Sequence, residues 1–209
     1  MLSPTQAAFV ADVEPRDIHR AIDRKVLPDR LFLRGDERRV AIEGCPLVAF
    51  YYGSAKRLTA EERVAAIRIV DTRLRAAPSD EPWSRSAEDW IVRDDLLRID
   101  LSPFVARAAE RWRLYGAARA MVVSDEAILS GVPVIAGTRI PVHDVAASLA
   151  AGHAPERIRA AYPSLSPAQI ELAALYARAN PLAGRPRTRP LLEGARLVSE
   201  DTVPRRRAG

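Results

Sequence analysis

The sequence predicts a mainly α-helical chain with small β-hairpins, carrying an N-terminal winged helix-turn-helix and a C-terminal helical, helix-turn-helix-like domain. Three observations lead there. Helix-start signals recur at Ser3-Pro4-Thr5-Gln6, Thr59-Ala60-Glu61-Glu62 and Ser166-Pro167-Ala168-Gln169. In each, a hydroxyl side chain stands three residues before a Glu or Gln that can reach back to the cap. Apolar residues then return at helical spacing, as in Val64, Ile67, Val70 and Leu74. Short apolar runs on either side of charged turns mark the hairpins.

Composition bounds the rest. The chain has 209 residues, 48% apolar and 28% charged, enough for a packed core in one to three domains. No apolar run approaches the roughly 20 residues of a membrane-spanning helix, and the first residues lack the plan of a signal peptide. A single cysteine, Cys45, can form neither an internal disulfide nor a thiolate cage. A soluble, cytoplasmic protein with no metal and no cofactor is expected, and no membrane partner. Basic residues number 32 against 27 acidic, net +5, nearly all of them Arg. By segment the net charge is 0 over 1–53, +2 over 54–120, −1 over 121–180 and +4 over 181–209. These breaks divide the chain into a first domain over 1–53, a connecting segment over 54–120 that is a candidate for dimerisation, a third domain over 121–180 and a basic tail over 181–209.

In the first domain Pro4 opens a helix with a small apolar face, Asp12-Val13-Glu14 forms a turn, and Pro15 opens a second helix to about Lys25. Ile18 and Ile22 point inward, while Arg16, Arg20 and Arg24 recur every four residues along one outer face. Two short helices across a tight turn, the second with a basic stripe, is the helix-turn-helix plan. Leu31-Phe32-Leu33 and Val40-Ala41-Ile42 then flank a charged, Gly-containing turn bearing Arg34, Arg38 and Arg39. Candidate DNA contacts are therefore Arg16, Arg20, Arg24, Lys25, Arg34, Arg38 and Arg39. The competing reading is a solvated face on which Asp17 and Asp23 pair with the arginines. In pattern and order, residues 2–52 resemble the excisionase and MerR-type winged-helix families.

The connecting segment predicts a helix from Thr59 to about Ala77, a hairpin of Trp90-Ile91-Val92 with Leu96 to Leu101, a helix from Ser102-Pro103, and a strand over Arg119 to Val123. Asp94 and Asp95 read as a polar hairpin turn rather than a carboxylate pair.

Residues 131–142, GVPVIAGTRIPV, contain two glycines that open backbone conformations closed to other residues. Val132–Ile135 and Thr138–Val142 can then form extended arms, with Pro133 and Pro141 at edges. Arg139 could meet a phosphate or partner carboxylate, or satisfy carbonyls and hold the turn. Helices follow, from His143 toward Ala151, from Ala154-Pro155 and from Ser166-Pro167. This stretch, over about residues 121–180, resembles the domain-of-unknown-function-433 family, the VapB-like antitoxins, with Gly131, Pro133, Gly137, Thr138, Arg139 and Pro141 matching its signature. The resemblance implies an antitoxin of a type II toxin–antitoxin system that represses its own operon and inhibits a PIN-like ribonuclease toxin.

Such a toxin has clustered carboxylates, which suggests a role for the tail. Arg185, Arg187 and Arg189 alternate with residues that keep the chain extended, and Arg196 lies nearby; Leu191, Leu192 and Leu197 add apolar anchors. Guanidinium groups could pair with those carboxylates. Non-specific DNA contact and an inert terminus are the other readings. His19, His143 and His153 show no metal spacing, and no phosphate loop or nucleophile elbow occurs. The chain is expected not to be an enzyme, and its partners are operator DNA, a PIN-like ribonuclease and a second copy in a homodimer. A DNA-binding regulator without a toxin, or a protein-only adaptor, is the alternative.

Overall fold

The computed structural model describes residues 1–35, 37–76, 82–94 and 97–182. Eight α-helices and three two-stranded antiparallel hairpins or ladders make up these residues.

Helix α1 (Pro4–Ala11) starts where the cap signal places it. Ser3 Oγ accepts from the Gln6 amide at 3.3 Å, and Gln6 Oε1 accepts from the Ser3 amide at 3.0 Å. Its small side chains let it sink until Ala7, Ala8, Phe9, Val10 and Ala11 are all buried. Asp12 takes a left-handed conformation (φ 55°), its amide bonding back to the helix carbonyls, and the chain reverses into α2 (Pro15–Asp23). Ile18, Ala21 and Ile22 are buried and turn the polar face of α2 outward. Strands β1 (Phe32–Leu33) and β2 (Arg39–Val40) pair in register Phe32 to Val40, and Leu2 exchanges two backbone hydrogen bonds with Val40 on the other side. The N-terminus thereby pins the hairpin beside α1.

Helix α3 (Gly44–Gly53) has no counterpart among the sequence expectations. Seven of its ten residues are buried, including both Cys45 and Pro46, so it shows no polar face and no helical period. Pro46 is tolerated because it sits in the first turn, where amides have no intrahelical partner. Burial pushes the Cys45 thiol up to about 12, with Glu43 adding to the rise.

Helix α4 (Ala60–Ala76) opens on the expected box, Thr59 and Glu62 exchanging amide bonds at 2.7 and 3.2 Å. Asp71 on α4 is buried and takes both the Nε (2.8 Å) and Nη2 (2.6 Å) of Arg30, tying α4 to the turn before β1. Strands β3 (Ile91–Asp94) and β4 (Leu97–Asp100) form the second hairpin, and α5 (Ser102–Ala120) follows. The strand expected over Arg119 to Val123 is shorter: α5 runs through Ala120, and only Val122–Val123 (β5) extends, paired with Val134–Ile135 (β6). Helices α6 (Val142–Ala150), α7 (Pro155–Ala161) and α8 (Pro167–Ala179) complete the chain, and α8 carries the capping box of Ser166 and Gln169.

One apolar cluster runs from Leu2 to Tyr115 and takes in Ala179, crossing the composition break at residue 53. A second gathers Ile135, Val142, Val145, Ile158, Leu165, Ile170 and Ala173. Helix α8 contributes to both, and its last turn is stitched by Asn180. The Asn180 side-chain oxygen accepts from Gln6 Nε2 (2.8 Å) and from the Tyr115 hydroxyl (3.4 Å), while its carbonyl accepts from His143 Nε2 (2.8 Å).

Asn180→Ala leaves Gln6 Nε2 without its acceptor at a part-buried position. We expect a loss of about 1–2 kcal/mol, read as a lower urea midpoint at unchanged slope. Cys45, buried and neutral, should resist iodoacetamide in the native protein at pH 8 and react at full rate once urea unfolds it.

Candidate nucleic-acid interface

Of the seven cations that the sequence nominates for DNA, Arg16 and Arg20 lie on α2, Arg24 and Lys25 directly follow it, Arg34 and Arg38 reach it from the hairpin, and Arg39 lies on β2. Arg16, Arg20, Arg24 and Lys25 are all exposed. Arg20 lies 3.6 Å from Asp17 and stays 55% exposed, so that pair leaves it largely free. Arg16, Arg24 and Lys25 have no carboxylate partner among the described residues. Just past the helix, Lys25 adopts φ 53°, and Arg68 of α4 donates to its carbonyl at 3.1 Å, fixing the exit from α2.

The hairpin arginines serve a second purpose. Arg38 Nη2 meets Asp23 at 2.9 Å and its Nη1 donates to His19 Nδ1 at 3.3 Å, so the hairpin turn is fastened onto α2. Arg34 stacks over Phe32 at 5.2 Å and donates to the Ile22 carbonyl at 3.4 Å, capping the end of α2. Arg39 lies within β2 rather than at the tip and pairs with Glu37 at 2.5 Å. The Asp23 pairing anticipated for the α2 stripe thus goes to Arg38, fifteen residues away, and leaves Arg24 unengaged. At the other end of α2 the Tyr52 hydroxyl donates to the Asp17 carbonyl at 3.0 Å. Burial first, and the nearby Asp17 carboxylate second, raise the Tyr52 phenol above its ordinary value.

The glycine-bounded element folds into the two arms the sequence suggests. Gly131 and Gly137 hold φ of 80° and 75°. Ile135 donates to the Ile140 carbonyl and Val142 to the Pro133 carbonyl, both at 3.0 Å, while Pro141 bridges to Val134. Thr138 closes the turn: its hydroxyl donates to the Ile135 carbonyl at 2.7 Å and accepts from the Ile140 amide at 3.1 Å. Arg139 is exposed and makes no hydrogen bond or ion pair among the described residues, so the turn is held by Thr138 and the backbone. Ile135 belongs to the second core, and Val134 beside it is also buried.

The tail positions Arg185, Arg187, Arg189, Leu191, Leu192, Arg196 and Leu197 lie outside the described residues, as does Asp95. Among the described residues no three His, Cys, Asp or Glu side chains converge to hold a metal ion, and no helix is long and apolar enough to cross a membrane.

Residues 122–177 match the family described as Protein of unknown function (DUF433). Over 209 residues the chain is 49% identical to the uncharacterized protein y4eO of Sinorhizobium fredii, covering 99% of this chain and 94% of that protein. No solved structure matches.

Thr138→Val keeps the volume but strands the Ile140 amide, and we expect it to cost about 1–2 kcal/mol. Arg139→Ala should stay within about 0.5 kcal/mol of the parent in the same chemical melt.

Proposed function

The chain belongs to the same family as y4eO and carries a DUF433 domain, and on that footing we propose that it is a DNA-binding antitoxin. In this proposal it represses its own operon and inhibits a PIN-like ribonuclease. The observation that carries the DNA-binding half is the set of cations on and just after α2, Arg16, Arg24 and Lys25, exposed and free of carboxylates beside a hairpin fastened to the same helix.

Support comes from the order and joining of the elements. Helices α1 and α2 meet across three residues, the second offers its polar face, and β1–β2 follows as a wing would. In a winged helix-turn-helix the second helix enters the major groove. Arg16, Arg20 and Arg24 would there reach base edges, where an Arg can take the two acceptors of guanine. Lys25 and the backbone around the hairpin turn would meet phosphates, which position the protein without reading sequence. The Arg38 contacts to Asp23 and His19 give the wing a fixed angle to that helix, a positioning task in place of the DNA contact for which the sequence nominates it. A homodimer would present two such helices to paired half-sites.

The antitoxin half rests on the resemblance of GVPVIAGTRIPV to VapB-like domains and on the guanidinium-rich sequence beyond Leu182. Arg185, Arg187 and Arg189 would enter the carboxylate cluster of the nuclease and compete with its metal for those oxygens.

Fluorescence anisotropy with the DNA upstream of the gene, run across a salt series, tests the first half. Affinity should fall steeply with salt, and Arg16→Ala or Arg24→Ala should each weaken the specific complex about tenfold or more. The absence of a discrete complex at low salt would refute DNA binding. Deleting 183–209 should abolish inhibition of a co-expressed PIN-like nuclease while sparing the DNA complex. Inhibition that survives the deletion would remove the tail from the mechanism, and DNA binding without any effect on a neighbouring nuclease would favour a plain regulator.

A further inference from the structure

A cleft of about 640 Å³ opens beside the α1–α2 turn, which lines it together with α1, α3, α5 and α8. Small residues make room for it on three walls: Ala8 and Ala11 from α1, Ala49 and Gly53 from α3, Ala108 from α5. Its volume lies in the range of small-molecule sites. Half-buried Phe104 and Tyr52 supply flat apolar surface within it, while Phe9 is buried beneath the guanidinium groups.

Three guanidinium groups converge there. Arg111 of α5 lies 4.6 Å above the Phe9 ring and Arg178 of α8 lies 5.6 Å from the same ring. Arg107 of α5 lies 4.7 Å above Phe104. Arg111 is held down by the Phe9 carbonyl at 2.5 Å and by Asp12 at 3.1 Å, and its side chain is only 21% exposed. Arg107 and Arg178 have no carboxylate partner among the described residues. Of the three acids lining the cleft, Asp12 pairs with Arg111 and Asp17 lies 3.6 Å from Arg20, and neither these nor Glu14 pairs with Arg107 or Arg178. Burial lowers the Arg111 pKa, Asp12 opposes that shift and the like charge of Arg178 adds to it, and an anion bound beside the two arginines would offset their repulsion. Cations stacked on aromatic rings around an apolar floor recognise a planar body bearing an anionic group.

We propose that this cleft binds a small aromatic oxyanion, its ring laid against Phe104 and Tyr52 and its charged group met by Arg107 and Arg178. The site is independent of the DNA-binding face and of the antitoxin reading. The oxyanion is a carboxylate or a phosphate ester, and the two are separable by experiment.

Titration calorimetry on the full chain, without DNA, uses 2-naphthoate, 2-naphthyl phosphate and uncharged 2-naphthamide as probes. One of the two anions should bind saturably at a single site, at least tenfold more tightly than the amide, and the tighter anion identifies the group. Arg178→Gln and Arg107→Gln, both at exposed positions, should each weaken binding at least fivefold, and Ala49→Leu, which fills the cleft, should abolish it. Circular dichroism melts establish that the variants fold; should Ala49→Leu not fold, the two arginine variants carry the test. Failure of both anions to bind saturably, or binding indifferent to the arginine substitutions, overturns the proposal. Because no DNA is present, that failure would leave the DNA-binding proposal standing, and the converse also holds.

Discussion

Burial of α1 on every side is the constraint from which the rest of the architecture follows. Five consecutive residues, Ala7 to Ala11, lose nearly all contact with water. A helix so small and apolar can only be satisfied by neighbours around its whole circumference, and α2, α3, α5 and α8 supply them. Apolar burial drives that assembly, while the polar ends are met locally: Ser3 and Gln6 cap the start, and left-handed Asp12 turns the end. Because α1 occupies the inner side of α2, the charged side of α2 has nowhere to go but solvent.

Electrostatics then refines what burial arranges. Arginines in the first third of the chain divide between fastening and display. Arg30 and Arg38 hold elements together through Asp71 and Asp23, and Arg34 caps α2. Arg16, Arg24 and Lys25 are left to face outward. Net charge over residues 1–53 is zero, but the pairing is uneven: Asp17, Asp23 and Glu37 engage Arg20, Arg38 and Arg39, and Arg16, Arg24 and Lys25 meet no carboxylate among the described residues. The same partition recurs in the cleft, where Asp12 is consumed by Arg111 and two arginines remain unmatched.

Elements with local signals were legible in the sequence. The boxes at Ser3, Thr59 and Ser166, the prolines at helix starts and the glycines of residues 131–142 each act within a few residues, and each appears where the sequence puts it. Helix α3 was illegible because a helix buried nearly all round has no amphipathic period to read. The pairing of Arg38 with Asp23 and His19 was equally hidden, since it depends on how a hairpin lands on a helix. Asn180 joins residues up to 174 positions apart, and the cleft gathers side chains from Thr5 to Arg178; spacing along a chain carries no trace of either. Arg139 shows the limit of motif reading in the other direction: a residue of the signature can be structurally idle while its neighbour Thr138 holds the loop.

Hydrogen–deuterium exchange of the full chain, with and without its upstream DNA, tests most directly whether the outward side of α2 is where a duplex lies. Amides over residues 15–25 and 32–40 should slow on addition of DNA, while those of α6 to α8 keep their free rates. Slowing confined to 142–179, or no change anywhere at a DNA concentration that saturates the complex, would contradict the assignment.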